Sequence, residues 1–144
     1  MPDIRFSVSA RKEGPALASV QARNFTMYVD EPPSLGGSDE GANPVEYLLA
    51  ALAGCLNVVG NLVAGEMGIE MKGMTIDIEG DLDPGRFSGK SMEDRAGFKQ
   101  IRATIKPDMQ ADEFTKQKWL EIIEQRCPIS DNLINATPVN ITLA

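Results

Sequence analysis

The sequence predicts an α+β fold with antiparallel sheets. Strand-like segments come in groups along the chain, whereas strict alternation with helices would indicate a parallel α/β sheet. One long apolar helix and one shorter amphipathic helix separate these groups. A chain of 144 residues matches the usual size of one compact domain, so we expect a single domain over residues 1–144.

The N-terminal part of the chain shows the two-residue period of half-buried strands. Apolar and polar residues alternate over residues 4–8, which predicts the first strand. Residues 12–15 have the composition of a turn, and two further strands are expected over 18–22 and 25–29. Proline and glycine are frequent in residues 30–42, which predicts a long loop. Loops of this length in compact domains tend to be functional or mobile.

The strongest segment is a long helix that starts at Asn43. Asn43 is suited to the N-cap and Pro44 to the first helical position, while Glu46 completes a capping box. The segment then stays apolar almost all round as far as Gly65, which predicts a helix buried on most faces. An apolar stretch of about 18 residues is at the lower limit of a membrane span. Its internal asparagines and the lack of basic flanks favour a core helix instead.

The C-terminal half contains two more strands, an amphipathic helix and a final strand. The expected order is a strand over residues 71–82, a polar loop over 83–97, a strand over 98–105, a helix over 111–125 and a last strand over 138–143. Pro107 is expected to end the second of these strands, and Pro128 to break the helix or start a new one.

Composition excludes several classes of function. The net charge of -7 and the lack of a Lys/Arg cluster make nucleic acids and anionic membranes poor partners, because phosphate binding needs concentrated positive charge. Histidine is absent, which removes Ser-His-Asp triads, Cys-His dyads and His-ligated metal sites. Two cysteines are too few for an all-cysteine zinc site, so we expect no metal site. We also expect no cofactor. The N-terminus shows no signal-peptide pattern, so we expect the cytoplasm, where a permanent disulfide is unusual.

The two cysteines are the candidates for chemistry. Cys55 lies in the apolar helix, where its plain interpretation is a small hydrophobic residue, and burial should raise the pKa of its thiol unless a cation lies nearby. Cys127 follows Arg126 and precedes Pro128, a setting that favours the thiolate. Arg11 and Arg23 could supply a cation to Cys55, or could be solvated cations at a strand edge. Sequence alone leaves open whether the two thiols meet.

Two segments, each built around one cysteine, resemble the motifs of the OsmC/Ohr family. They are residues 41–55 (GANPVEYLLAALAGC) and residues 126–133 (RCPISDNL). The resemblance extends to the order of elements along nearly the whole chain. It implies an intertwined homodimer of the OsmC-like α+β fold, with antiparallel sheets wrapped around long central helices.

The resemblance also implies a thiol-dependent peroxidase that prefers organic hydroperoxides. In that scheme Cys55 is the peroxidatic residue, Cys127 resolves its sulfenic acid as a disulfide, and a dithiol reductant, lipoyl-linked in the best-known branch, restores the thiols. The family holds the thiolate with an arginine from the N-terminal part of the other chain. Here that residue is Arg11 or Arg23, and a glutamate orients it.

The chain departs from the family pattern at this glutamate. In the better-characterised peroxidases the glutamate follows the Asn-Pro pair directly, whereas here that position is Val45 and the carboxylate is Glu46. One residue turns a helix by about 100°, so Glu46 is either the catalytic carboxylate or only the capping-box residue.

The alternative function is therefore a non-catalytic OsmC-like protein that binds a small apolar or thiol-bearing ligand. A third is a structural dimer without a ligand. Tyr47, Phe25 and Phe98 could line a pocket for an apolar molecule, or simply pack in the core.

Overall fold

The computed structural model describes Met1–Ala144 and confirms the α+β class. It contains α-helices and two antiparallel sheets, one of three strands and one of two. The chain divides into two compact units, unit 1 over Met1–Leu48 and unit 2 over Leu49–Ala144. The boundary falls inside helix α1 (Pro44–Glu66). One domain over residues 1–144 stays a prediction.

Unit 1 is built on a three-stranded meander. Its strands are β1 (Ser9–Lys12), β2 (Ala18–Ala22) and β3 (Phe25–Val29), in the order β1-β2-β3. The second and third strands therefore have the bounds expected from the sequence. The β2–β3 hairpin turns tightly, and Arg23 there has a φ of 56°, a left-handed conformation that residues with a side chain rarely adopt.

The expected strand over residues 4–8 does not form, and this prediction was wrong. The apolar side chains of this segment are strongly exposed: Ile4 by 73%, Phe6 by 87% and Val8 by 65%. The register explains the absence of pairing. Ser9 lies opposite Gln21, so Val8 comes level with Ala22, the last residue of β2, and the residues before Val8 run past the end of that strand.

The long loop after β3 folds around one buried carboxylate. Asp30 is 1% exposed, and its oxygens accept hydrogen bonds from the backbone N–H groups of Glu31 (2.8 Å), Ser38 (3.2 Å) and Glu40 (3.1 Å). Burial raises the pKa of Asp30, but these three N–H groups outweigh burial and hold it below the usual value. The loop closes so tightly that a Cβ atom at Gly37 would lie 1.8 Å from the carbonyl oxygen of Glu31. A glycine is therefore required at that position.

Helix α1 begins with the expected capping box. The Glu46 N–H donates to Asn43 Oδ1 at 2.9 Å, and the Asn43 N–H donates to Glu46 Oε2 at 3.1 Å. Two backbone donors at the start of the helix are thus satisfied by side chains of the sequence itself.

Unit 2 packs helices against a two-stranded sheet. Its elements after α1 are β4 (Met71–Asp81), β5 (Gln100–Met109), α2 (Glu113–Arg126) and α3 (Pro128–Ile134). The buried core comprises Leu52, Leu56, Val59, Val63, Ala64, Met109, Trp119, Ile123 and Cys127. At its centre the indole N–H of Trp119 donates to the carbonyl oxygen of Gly60. This contact joins α2 to the middle of α1.

Two expectations for unit 2 were wrong because strands depend on their neighbours. Pro107 lies inside β5 rather than at its end, which the sheet tolerates because β5 has β4 as its only partner. The expected last strand over residues 138–143 is not formed, and Val139 and Ile141 are 76% and 92% exposed. No strand of the chain pairs with this segment.

Helix α1 is buried on one side only, which corrects the expectation that most of its faces are covered. Val58 and Leu62 are 65% and 52% exposed, and a Cβ atom at Gly54 or Gly65 would meet open space. By length and composition α1 could cross a membrane, and a core helix of a soluble protein passes the same test. Since Leu52 and the residues on its side belong to the core of unit 2, α1 is a core helix.

Candidate thiol site

The structure brings the two cysteines together. Their sulfur atoms lie 2.7 Å apart although the residues are separated by 72 positions in the chain. Both are free thiols; Cys55 is partly buried and Cys127 is 1% exposed. The pair lies where the middle of α1 meets the junction of α2 and α3.

Cys127 is placed by the caps of two helices. Its N–H donates to the carbonyl oxygen of Ile123 at 3.0 Å and closes α2. Its sulfur then accepts a hydrogen bond from the Ser130 N–H at 3.4 Å, as the N-cap of α3. Pro128 fits the first position of α3, where no N–H is needed, so it starts a new helix as the sequence allowed.

The surroundings of Cys55 within unit 2 disfavour its thiolate. Burial raises the pKa of the Cys55 thiol, and the hydrogen bond with the Cys127 thiol raises it further. The N–H of Ile129 lowers the pKa, but by less than the other effects raise it. Arg126 was expected to favour a thiolate at Cys127. Its guanidinium instead pairs with Glu66, with N–O distances of 2.5 and 3.1 Å.

The other candidate residues lie in unit 1. Arg11 is an exposed residue of β1 opposite Ser19. Arg23 is held over the ring of Phe25, with its guanidinium carbon 5.0 Å from the ring centroid. Glu46 is engaged in the capping box, which supports the structural interpretation of that residue.

A groove of about 690 Å³ opens in unit 2 beside the helix that carries Cys55. Leu52, Leu56 and Trp119 line it, whereas Cys55, on the same helix as the two leucines, is not among the lining residues. Its apolar wall is completed by Phe98, Ile101, Ala103, Ile105, Leu120, Leu133 and Ile134. The charged residues that line it are Arg95, Lys99, Glu113, Lys116 and Glu124.

Of the three aromatic residues proposed to line a pocket, the groove includes Phe98. In unit 1 the Tyr47 hydroxyl donates to the carbonyl oxygen of Tyr28 at 2.8 Å, and Phe25 lies under Arg23. The sequence interpretation missed Trp119 as a lining residue. The apolar side of the amphipathic helix was the signal that could have revealed it.

The family model for OsmC-like proteins matches residues 37–142, which include both cysteines. The chain belongs to the OsmC family. This confirms the resemblance drawn from the two cysteine motifs. No curated protein matches the chain.

Solved structures support the OsmC-like fold at low sequence identity. An OsmC-like protein from Mycoplasma pneumoniae is 18% identical, with a TM-score of 0.80 over 94% of this chain and 91% of that one. An organic hydroperoxide resistance protein OsmC from Legionella pneumophila is 17% identical, with a TM-score of 0.66 over 92% and 91%. The organic hydroperoxide resistance protein OhrB of Bacillus subtilis is 20% identical, with a TM-score of 0.60 over 92% and 93%.

Proposed function

We propose that this OsmC-family chain is a thiol-dependent peroxidase that reduces organic hydroperoxides. The observation that carries the proposal is the pair of free thiols at 2.7 Å. Leu56, next to Cys55 in the chain, and Ser130, whose N–H contacts the Cys127 sulfur, line the groove in unit 2. Two of the similar structures are organic hydroperoxide resistance proteins, which agrees with a substrate of this class.

The reaction starts with attack of the Cys55 thiolate on the terminal oxygen of the hydroperoxide. A sulfur–oxygen bond forms, the O–O bond breaks, and the alkoxide leaves as the alcohol after taking a proton. Cys55 becomes a sulfenic acid. The Cys127 thiolate then attacks the Cys55 sulfur, a disulfide forms and the hydroxide leaves as water. A dithiol, such as a lipoyl group, reduces the disulfide by exchange and is itself oxidised to a disulfide.

A cation must be added to this site for the first step to be fast. Burial and the neighbouring thiol raise the pKa of Cys55, and the N–H of Ile129 does not fully compensate. We assign the missing cation to Arg11 or Arg23 of a second copy of the chain. The guanidinium would stabilise the thiolate and the negative charge that develops on the leaving oxygen.

A homodimer would cover the apolar surfaces that the single chain leaves exposed. One is a stripe along α1 formed by Leu48, Ala51, Gly54, Val58 and Leu62. The others are the unpaired segments 4–8 and 138–143, whose alternating pattern is that of strands without partners. Sedimentation equilibrium tests this assembly, and Val58→Lys should shift the chain toward monomer. A monomeric wild type at micromolar concentration would contradict it.

The proposed chemistry supports a cytoplasmic location. The cycle ends with two free thiols and needs a dithiol reductant, so we assign the protein to the reducing cytoplasm.

The decisive experiment measures thiol loss after one equivalent of cumene hydroperoxide, tert-butyl hydroperoxide or hydrogen peroxide. We expect rapid loss of both thiols, a Cys55–Cys127 disulfide by mass spectrometry, and preference for the organic peroxides. Cys55→Ser should abolish peroxide consumption. Cys127→Ser should allow one turnover and accumulate oxidised Cys55. Slow thiol loss without the disulfide would overturn the proposal.

A second candidate function is binding of a small apolar or thiol-bearing molecule without turnover. Val45 at the position of the family glutamate favours it, as does the capping role of Glu46. In that case Cys55→Ser would leave the affinity of the groove for an apolar probe almost unchanged, and wild type would consume no hydroperoxide.

A further inference from the structure

The two segments that carry the cysteines are joined a second time by an ion pair. Glu66, in the last turn of α1, and Arg126, at the end of α2, meet through two hydrogen bonds of 2.5 and 3.1 Å. The two guanidinium nitrogens contact one carboxylate oxygen each, a forked geometry that sets orientation as well as distance.

The ion pair and the thiol pair bridge the same two elements. Cys55 and Glu66 lie on α1 about three turns apart at 3.6 residues per turn, which places them near the same face of that helix. Arg126 is the residue directly before Cys127. Each residue of the thiol pair therefore shares its element with one residue of the ion pair.

We propose that Glu66 and Arg126 are positioning residues that hold Cys127 against Cys55 for the resolving step. This inference rests on the proposed peroxidase function. The ion pair with Glu66 restricts the backbone at Arg126, which leads directly into Cys127. It therefore raises the effective concentration of the Cys127 thiol at Cys55.

Because the ion pair is exposed, we expect it to position Cys127 and to add little to the overall stability of the chain. The side chains of Arg126 and Glu66 are 40% and 50% exposed, and exposed pairs contribute little to the free energy of unfolding. The core residues Trp119 and Ile123 already secure the body of α2. Ile123 already lies in the last turn of α2, so the ion pair adds a contact at Arg126, where α2 ends and the resolving cysteine follows.

The Glu79–Arg102 ion pair, in which Arg102 also makes a forked contact with Asp81, supplies a control. It also lies in unit 2, with an N–O distance of 2.8 Å, but it joins β4 to β5 and bridges neither cysteine-bearing segment. Its loss should have no effect on the thiols.

The test measures the equilibrium between the Cys55–Cys127 dithiol and its disulfide in buffers of reduced and oxidised dithiothreitol. Glu66→Gln and Arg126→Gln should each lower the equilibrium constant for disulfide formation by about two- to five-fold. Arg126→Lys keeps the charge but loses the forked geometry, so its equilibrium constant should lie between those of the Gln variants and wild type. The exchanged double variant Glu66→Arg/Arg126→Glu should restore a value near that of wild type, and Glu79→Gln should match wild type.

Equal constants for wild type and both single Gln variants would overturn the positioning role, and so would an equal loss in Glu79→Gln. Failure of the exchanged double variant to exceed the single variants would also overturn it. The measurement uses no hydroperoxide. A wild type that forms the disulfide but consumes no hydroperoxide would refute the peroxidase and leave the variants to decide the positioning role.

Discussion

The indole N–H of Trp119 donates a 2.9 Å hydrogen bond to the carbonyl oxygen of Gly60 across 59 positions of the chain. Trp119 is 2% exposed, and a Cβ atom at Gly60 would lie 3.1 Å from the indole ring. A glycine on α1 thus permits the close approach of α2, the helix that leads to Cys127. The packing that builds the core also determines where the second thiol lies.

Replacing Trp119 by Phe should destabilise the chain by about 1–3 kcal/mol, because the hydrogen bond is lost and the smaller ring leaves a void. Urea unfolding followed by circular dichroism measures the change. Phe114→Leu on the same helix, where the side chain is 80% exposed, should stay within about 0.5 kcal/mol of wild type. An unchanged urea midpoint for Trp119→Phe would contradict the assigned role.

Removal of the arginine that we propose to stabilise the Cys55 thiolate should slow the reaction of Cys55. Burial and the Cys127 thiol raise the pKa of Cys55, so without the cation less thiolate exists at pH 7, about tenfold less for each unit by which the pKa rises. The pH dependence of alkylation of Cys55 by iodoacetamide should shift to higher pH in either Arg11→Ala or Arg23→Ala. The unaffected variant serves as the control. Identical profiles in both variants and wild type would refute an N-terminal cation.

Removal of Cys127 should shift the pH dependence of Cys55 alkylation to lower pH. The hydrogen bond between the thiols is one of the causes that raise the pKa of Cys55, and Cys127→Ala eliminates it. The thiolate of Cys55 should therefore form at lower pH than in wild type. Alkylation followed by intact-mass analysis measures the shift, and a rise in the pKa would show that Cys127 stabilises the thiolate instead.

The loop around Asp30 should lose stability in acid. Three N–H groups hold the pKa of Asp30 below its usual value of about 3.9, so the stabilising contribution is complete above that value and disappears as the pH falls through the folded-state pKa. Limited proteolysis of residues 30–42 by pepsin should accelerate over this range. In Asp30→Asn cleavage should be fast and nearly independent of pH. Glu40→Gln, which keeps its backbone N–H, is the matched control.

The sequence was sufficient to predict interactions between residues that lie close together in the chain. The capping box of Asn43 and Glu46 spans one helical turn, and it forms as expected. The same holds for β2 and β3, which are joined by a tight hairpin. Short separation makes such pairings independent of the rest of the fold.

Predictions failed where the outcome depends on a distant partner. The alternation of residues 4–8 and 138–143 describes segments suited to a sheet, but pairing needs a neighbouring strand that this chain does not supply. The contact between Cys55 and Cys127 also depends on a distant partner, because it needs the packing of α2 against α1. The residues alone left that contact open, and only the family resemblance implied it.

Cys127 ends one helix and caps the next, so a change in its oxidation state changes the end of a helix. Its sulfur accepts the Ser130 N–H at 3.4 Å, and a disulfide would draw that sulfur from 2.7 Å to about 2.05 Å from the Cys55 sulfur and so move it relative to the N–H. Oxidation should therefore weaken the first turn of α3, the helix that carries Leu133 and Ile134 on the groove wall. Hydrogen exchange at the Ser130 amide would then report directly on the redox state, and the shape of the groove would alternate with each turn of the cycle.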